Sequence, residues 1–418
     1  MVLSGSKASG GSQARAVAPA AGPPPPRCLP CPIGQWRTGG LLLAHRPPLA
    51  ASFAGLAPAR FWLRRRPCLR ERCEISPRNP RDLLECGMPD SALLLALLAE
   101  DCVCSGSALG RVLGVSRAAV HKTIAQLVHQ GITIESRRGE GYRLDPRFRP
   151  LELARLQSNP GFDVEVVTDT DSTNRELFRR LEAGQDIHAC ALLAEQQSAG
   201  VGRRGRMWRA APYSNILLSC AWRFPRTSAQ LAGLSLAVGV ALHQACSDYG
   251  LPGLALKWPN DLVYGVAKIG GILLDVRGES EAPTVVVCGI GVNVHLPQSV
   301  GAGLDQPWSD LCRVLGTVVD RSALVGLLLQ RLYDVFVEFE SSGFGETLLT
   351  AWERRHRDQG QEVLVQAADG RVQAGRALGL AADGGLRVRY PEGVRVLYSG
   401  DVRVRPTGTA ATKLQRDA

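Results

Sequence analysis

Five short segments hold the polar side chains whose types and spacing could do chemistry. Asp171-Ser172-Thr173-Asn174 has the composition of a helix N-cap, whose hydroxyls either cap the helix or face a pocket. Gly200-Val201-Gly202-Arg203-Arg204-Gly205 has the GxGxxG spacing of a dinucleotide fingerprint. That fingerprint needs an apolar helix after it and an acid about 20 residues on. Here Arg206-Met207-Trp208-Arg209 follow, then a strand from Asn215, so the segment reads instead as a glycine loop between two strands. Such a backbone can close over an anion while Arg203 or Arg204 supplies fixed positive charge, which suits a nucleotide phosphate or an acyl phosphate. In Lys257-Trp258-Pro259-Asn260-Asp261 a lysine ends an apolar strand and Pro259 fixes the turn. Asn260 and Asp261 then present an amide and a carboxylate, and a carboxylate beside phosphates is a natural Mg²⁺ ligand, directly or through water. Taken alone, Asn-Asp in a turn is only a turn. Lys268-Ile269-Gly270-Gly271-Ile272 opens an apolar strand with a cation and then glycines, which let a ligand approach the backbone. Gly289-Ile290-Gly291-Val292-Asn293 ends a buried strand in glycines and an amide. No Gly-x-Ser-x-Gly elbow occurs, which disfavours Ser/His/Asp hydrolysis.

The elements that must position these residues follow from periodicity. Leu93, Leu94, Leu97 and Leu98 make one helical face. Ser107 can cap a short helix over 108–113, Gly114 breaks it, and Ser116 caps a helix over 117–129 with Val120, Ile124 and Leu127 inward. Gly131 ends that helix. Ile132–Ser136 alternates like a strand, 137–141 turns, and Tyr142 starts the return. This is a winged helix-turn-helix. Its recognition helix carries Ser116, Arg117, His121 and Lys122, and its wing carries Arg137 and Arg138; such a helix enters the major groove while a basic wing meets phosphate. The bland alternative is a small helical domain that binds protein. After a linker at Pro146–Pro150 come strands near 164–168, 190–195, 214–222, 254–257, 268–277 and 284–290, with helices near 173–183, 228–249 and 321–341. Tight turns beside several strands favour a mixed sheet with helices on one face. Residues 361–405 alternate as short strands broken at Asp369-Gly370 and Asp383-Gly384-Gly385, the pattern of a small closed SH3-like β-barrel. The expected fold class is therefore α+β in three parts: a winged helix-turn-helix over 88–146, a mixed-sheet domain over 151–355 and an SH3-like domain over 360–406.

Net charge is +10, but residues 1–87 hold 13 Lys+Arg against 4 Asp+Glu, so the basic excess belongs to the leader and says nothing about nucleic acid. That leader is Pro- and Gly-rich, without amphipathic period, and reads as disordered. A transit peptide, a DNA-binding tail around Arg64–Arg66 and an over-extended gene start before Met88 compete; the compact pattern that begins after Met88 favours the third. Cys28 and Cys31 form a lone CxxC with no well-spaced second pair, which speaks against a metal site. The seven later cysteines mostly sit in apolar runs and read as buried thiols in a reducing compartment. No run of about 18 apolar residues suggests a membrane span.

Each motif is weak alone. In this order and spacing, Asp171-Ser-Thr-Asn, Glu195-Gln-Gln-Ser-Ala-Gly-Val-Gly-Arg-Arg-Gly-Arg-Met-Trp208, Lys257-Trp-Pro-Asn-Asp, Lys268-Ile-Gly-Gly-Ile-Leu-Leu and Gly289-Ile-Gly-Val-Asn resemble the biotin–protein ligase family. With the winged helix ahead of them, the chain resembles the bifunctional bacterial ligase/repressors over residues 88–405. The resemblance implies ATP and biotin as substrates and Mg²⁺ as cofactor. It implies that Ser172, Thr173, Asn174 and Gln197 hold biotin, with Gly271 near it, and that Gly200, Val201, Gly202, Arg203, Arg204 and Gly205 fold over biotin and its adenylate. Lys268 would meet the carboxylate and the α-phosphate. Lys257 and Asp261 would handle ATP phosphates and Mg²⁺, and Trp208, Asn260 and Asn293 would lie at the nucleotide. By the same resemblance Arg203, Lys257, Asp261 and Lys268 would be the catalytic set. The family loop usually has arginine where this chain has Val201. Implied partners are the biotin carboxyl carrier protein of acetyl-CoA carboxylase, operator DNA of biotin genes and a second copy of the chain when adenylate is bound, all in the cytoplasm. Two other readings stand beside it: a regulator whose ligase-like domain only senses, and a lipoate or octanoate ligase.

Overall fold

The computed structural model describes residues 90–100, 102–157, 161–277, 283–398 and 402–407. The expectations for the leader over 1–87 and for Cys28, Cys31, Cys68 and Cys73 lie outside the described residues.

Three helices, α1 (Asp90–Leu98), α2 (Gly106–Leu113) and α3 (Arg117–His129), precede a two-stranded antiparallel wing of β1 (Ile134–Arg137) and β2 (Gly141–Leu144). Leu94, Leu98, Leu109, Val120, Ile124, Leu127 and Leu144 form its core. Ser116 caps α3, its Oγ accepting from Ala119 N at 3.1 Å. The cap of α2 is Ser105, not Ser107: Ser105 Oγ accepts from Ala108 N at 3.1 Å. The helix starts at Gly106, and a cap oxygen must reach the third amide of its own helix, which Ser107 lies too far along the chain to do.

The central sheet contains β3 (Asp163–Thr170), β4 (Cys190–Gln197), β5 (Ile216–Phe224), β6 (Leu254–Lys257), β7 (Asp261–Tyr264), β8 (Ala267–Arg277) and β9 (Thr284–Val292). Their order is β3-β4-β5-β9-β8-β7-β6. β3 and β4 are parallel and the other neighbours antiparallel, so the sheet is mixed. A parallel pair needs a crossover, and α4 (Thr173–Glu182) supplies it. Leu177 and Phe178 of α4 pack on Leu192, Ala221, Val285 and Val287. The opposite face, with Leu193, Cys220, Trp222, Val286 and Cys288, is covered by α5 (Leu234–Asp248) and α6 (Arg321–Ser342), and α7 (Glu346–Glu353) packs on α5. Helices therefore lie on both faces, against the expectation of one. The strands are apolar at successive positions, so each face needs a cover.

The helix expected over 228–249 is interrupted. A 3₁₀ turn, Ser228–Leu231, gives way to Gly233 at φ 83°, and α5 starts at Leu234. The stretch Ser228–Asp248 is long and apolar enough to cross a bilayer by length and composition, but most of it lies inside the core.

The last five strands, β10 (Glu362–Ala367), β11 (Val372–Leu380), β12 (Leu386–Tyr390), β13 (Gly393–Leu397) and β14 (Val402–Pro406), pair antiparallel in the order β13-β12-β11-β10-β14. The turns fall where Asp369-Gly370 and Asp383-Gly384-Gly385 place them. Val363, Val365, Ala377, Leu386, Val388 and Val404 join the same core as the central sheet, and Trp258 Nε1 donates to Gly384 O at 3.0 Å across the seam. Five of the seven later cysteines are buried, and burial pushes the Cys246 thiol up to about 12.

The winged domain is tied down at its exit. Phe148 meets His295 edge-on at 5.2 Å. Arg321, at the start of α6, donates to Arg149 O and Asn215 O, and lies 2.8 Å from Glu195 Oε2. Leu151 N donates to the other Glu195 oxygen. Both side chains of this ion pair are at most 5% exposed.

Candidate functional site

On the α4 face, the middle strands carry valines near one end and glycines near the other. The register places Gly289 and Gly291 of β9 in line with Val285 and Val287, and Gly271 opposite Gly291. Removing side chains there turns the sheet into the floor of a cavity of about 270 Å³. Trp208 fills the space over Gly291, so closely that a Cβ on that glycine would lie 2.5 Å from the indole.

Beside this floor stands a group of cations around one acid. Lys268 Nζ is 2.6 Å from Asp261 Oδ1, and Lys257 Nζ is 3.8 Å from Asp261 Oδ2. The β6–β7 hairpin brings Lys257 opposite Asp261, and β8 brings Lys268 alongside, with its ammonium 5.6 Å from the Trp208 ring centre. Burial holds the Lys257 ammonium below the usual lysine range, and the neighbouring Asp261 charge offsets only part of that. Arg203 Nη1 donates to Asn260 Oδ1 at 2.9 Å, and Asn260 Nδ2 donates to Ile272 O at 2.7 Å. Burial likewise lowers the Arg203 guanidinium, against the pull of Asp261. The glycine loop runs between β4 and β5 and is closed by Trp208 N donating to Gly200 O at 2.9 Å and by a bridge between Val201 and Met207. Val201 thus engages the loop through its backbone. Arg204 turns the loop at φ 59°.

At the α4 end of the cavity, Gln197 Oε1 accepts from Thr173 N at 2.7 Å, and Thr173 Oγ1 lies 2.6 Å from Ser219 Oγ. Asn174 Nδ2 donates to Asp275 Oδ2 at 2.7 Å. Ser172 Oγ makes no cap hydrogen bond to α4, although Ser172 holds the N-cap position.

The cavity brings together Ser172, Thr173, Asn174, Gln197, Val201, Gly202, Arg203, Arg204, Trp208, Lys257, Asn260, Asp261, Lys268, Gly271 and Asn293 in one lining; Gly200 and Gly205 belong to the loop but not to the wall. The Asn293 side chain is committed to Ser309 O at 3.2 Å, so it braces the loop that follows β9. Sequence reasoning missed three parts. Arg206 and Arg209 continue the cationic wall, Trp308 lines it with Arg313 stacked at 4.5 Å, and Val402–Arg405 of β14 bring Arg403 and Arg405 from the far end of the chain. Arg403 and Arg405 fall within the alternating stretch over 361–405, but nothing local says which cavity they meet. Among the described lining residues Asp261 is the one carboxylate against eight basic side chains. The arrangement can hold two anions side by side and shield their charge. No cluster of three or more His, Cys, Asp or Glu residues suited to a metal ion occurs among the described residues.

The second candidate surface lies on the winged domain. Ser116, Arg117, His121, Lys122 and Arg138 are exposed on α3 and the wing turn. His121 Nδ1 lies 3.1 Å from Tyr142 OH, which ties the helix to β2. Arg137 is paired with Glu135 at 3.0 Å and Glu140 at 3.7 Å, so it shapes the wing as much as it charges it.

Comparison with known proteins matches the stretches of chain that carry both surfaces. Residues 166–293 match the Biotin/lipoate A/B protein ligase family, 91–143 an HTH domain, and 359–405 the Biotin protein ligase C terminal domain. The bifunctional ligase/repressor BirA of Escherichia coli is 31% identical over 313 residues, covering 75% of this chain and 96% of that protein. BirA of Bacillus subtilis is 27% identical, covering 72% and 93%. A solved structure of biotin protein ligase from Aquifex aeolicus in complex with biotin and ATP is 24% identical, covers 59% of this chain and 99% of that one, and has a TM-score of 0.48. By its identity to the Escherichia coli protein over nearly all of that protein's length, the chain belongs to the biotin protein ligase family, among the bifunctional ligase/repressors.

Proposed function

We propose that this protein activates biotin with ATP, transfers it to a lysine of the biotin carboxyl carrier protein, and represses biotin genes through its winged helix when the activated biotin accumulates. The observation that carries the reading is the cavity in which Arg203, Lys257, Asp261 and Lys268 converge beside a glycine floor.

The mechanism follows from charge. The biotin carboxylate attacks the α-phosphorus of ATP, a bond forms between them, and pyrophosphate leaves with the cleaved P–O pair. Two anions must meet, so catalysis is the work of preorganised cations. Lys268 leaves Asp261 to stand between carboxylate and α-phosphate. Arg203 closes with the glycine loop over the anhydride, and Lys257 takes the leaving phosphates. A depressed Lys257 gains most when an anion arrives, because phosphate replaces the water that burial removed. Asp261 fits a magnesium ion that enters on the triphosphate: one carboxylate, with the rest of the shell from phosphates and water, is the usual protein share for that ion. Such an ion would neutralise phosphate charge. The carrier lysine then attacks the acyl carbon as AMP departs. As the sole carboxylate of the described lining, Asp261 is the candidate to accept the amine proton. Ser172, Thr173 and Gln197 hold the ureido ring, and Trp208, over Gly291 and beside Lys268, stands between that ring and the nucleotide.

For repression, two adenylate-bound chains pair and place two α3 helices on a palindromic operator in the cytoplasm. Biotin-dependent ATP–pyrophosphate exchange and operator titration, each with and without biotin plus ATP, test the two halves. Exchange and tighter operator binding are expected only with both ligands. Equal exchange without biotin overturns the ligase, and equal operator affinity in both conditions overturns the repressor.

A further inference from the structure

The α4 end of the cavity contains a chain of hydrogen bonds whose direction is forced. We propose that Asp275, acting through Asn174 and Ser219, fixes Thr173 as a proton acceptor toward the cavity, and that these three positioning residues select a ring bearing N–H groups. The inference rests on the biotin reading and deepens it. Asp275 on β8 is a carboxylate and can only accept, so the Asn174 atom 2.7 Å from Oδ2 is the amide nitrogen. Asn174 Oδ1 is therefore the atom that meets Ser219 Oγ, and Ser219 must donate to it. A hydroxyl has one proton. With the Ser219 proton spent, the 2.6 Å contact between Ser219 and Thr173 takes the proton of Thr173. That proton has a second taker, Gln197 Oε1 at 3.1 Å, but the shorter contact wins, since Ser219 has nothing left to give.

Thr173 Oγ1 is left with lone pairs only. Gln197 is fixed in the same way: a backbone N–H can only donate, so Thr173 N holds Oε1 and leaves Nε2 beside Gly200, where a glycine Cβ would come within 3.0 Å of it. The end of the cavity thus offers an acceptor next to an amide donor. Its complement is an adjacent N–H and C=O, as in a cyclic urea. A dithiolane ring has no N–H to give Thr173. Ser219 is fully buried, and Thr173 and Asn174 are at most 7% exposed, so water does not rewrite the direction.

Ser219→Ala and Asp275→Asn in the full-length protein test this, with biotin and a ureido-N-methylated biotin as paired substrates in pyrophosphate exchange. The alanine ends the chain at Thr173; the asparagine can donate as well as accept and lets the chain reverse. For each variant we expect a KM for biotin raised about tenfold, the value of one neutral hydrogen bond, with kcat and the KM for ATP within about twofold. The preference for biotin over the methylated analogue should narrow by a similar factor. An unchanged preference in both variants, with wild type active, overturns the inference. Loss of biotin-dependent exchange in wild type itself overturns the ligase reading and this one with it. If one variant melts early, the other decides.

Discussion

Replacing Lys268 with alanine removes the ammonium that lies 2.6 Å from Asp261 and leaves the rest of the wall in place. The loss can be sized from the geometry. A carboxylate or α-phosphate oxygen that displaces Asp261 from Lys268 would sit about 4 Å from the ammonium charge. At an effective dielectric constant of about 20, suited to a site near the surface, that pair is worth about 4 kcal/mol. The Lys268 side chain is 20% exposed, so some of this is lost to solvent, and about 3 kcal/mol is a fair expectation. Since 1.36 kcal/mol is a factor of ten, pyrophosphate exchange should fall by about two orders of magnitude in kcat/KM. The fold should survive, because Lys268 sits on β8 by its backbone, with its N donating to Pro307 O and its O accepting from Ser309 N. The assay is exchange at saturating ATP across a biotin series, beside a thermal melt. A loss of less than about tenfold with an unchanged melt would refute the claim that cations carry the first step.

Three further outcomes are expected. Gly291→Ala drives a methyl into Trp208, so the KM for biotin should rise by about tenfold or more with about 1–3 kcal/mol of strain; unchanged biotin binding by calorimetry would show that Trp208 has no part in the pocket. Arg321→Met strands the buried Glu195 charge and should cost about 3–5 kcal/mol in urea unfolding, while the double variant with Glu195→Leu recovers part of it; a single-variant cost below about 1 kcal/mol would mean the pair is idle. Burial lowers the pKa of His356, which stacks on Trp352 at 4.5 Å, and it does the same to His243 and His295. As pH falls below the ordinary 6.5, the unfolded chain takes up these protons first, so stability present above that value is lost on acidification. The urea midpoint should drop between about pH 7.5 and about pH 5.5, and His356→Phe should flatten the drop; identical slopes would rule out His356 as a contributor.

Much of this was legible in the sequence because the signals are local. The Ser116 cap, the apolar positions of α3 and the glycine breaks of the last sheet depend on neighbours within a few residues, and they were read correctly. Where the reading slipped, physics beyond the window decided. Ser105 and Ser107 flank the same glycine, and only the geometry of the third amide separates them as caps. The leucines on either side of Gly233 keep a helical period through a residue whose φ of 83° breaks the helix. Two-sided burial of β4, β5 and β9 was written in their unbroken apolar runs, and it was read as one helix layer instead of two. For the site, the five motifs named the floor, the loop and the cations. Their contacts could not be named, because Asp275 and Ser219 look like ordinary strand residues until the register places them beside α4. Arg403 and Arg405 are separated from Lys268 by more of the chain than any spacing rule spans.

The wall contributed by β14 bears on how the protein matures. Translation completes the winged helix first and the seven-stranded sheet next, and the cavity gains its last side only when residues 402–405 emerge. A product that stops short of them would keep a DNA-reading module attached to an unroofed reaction chamber. In such a product, the reactive anhydride would be exposed to hydrolysis before any carrier arrived.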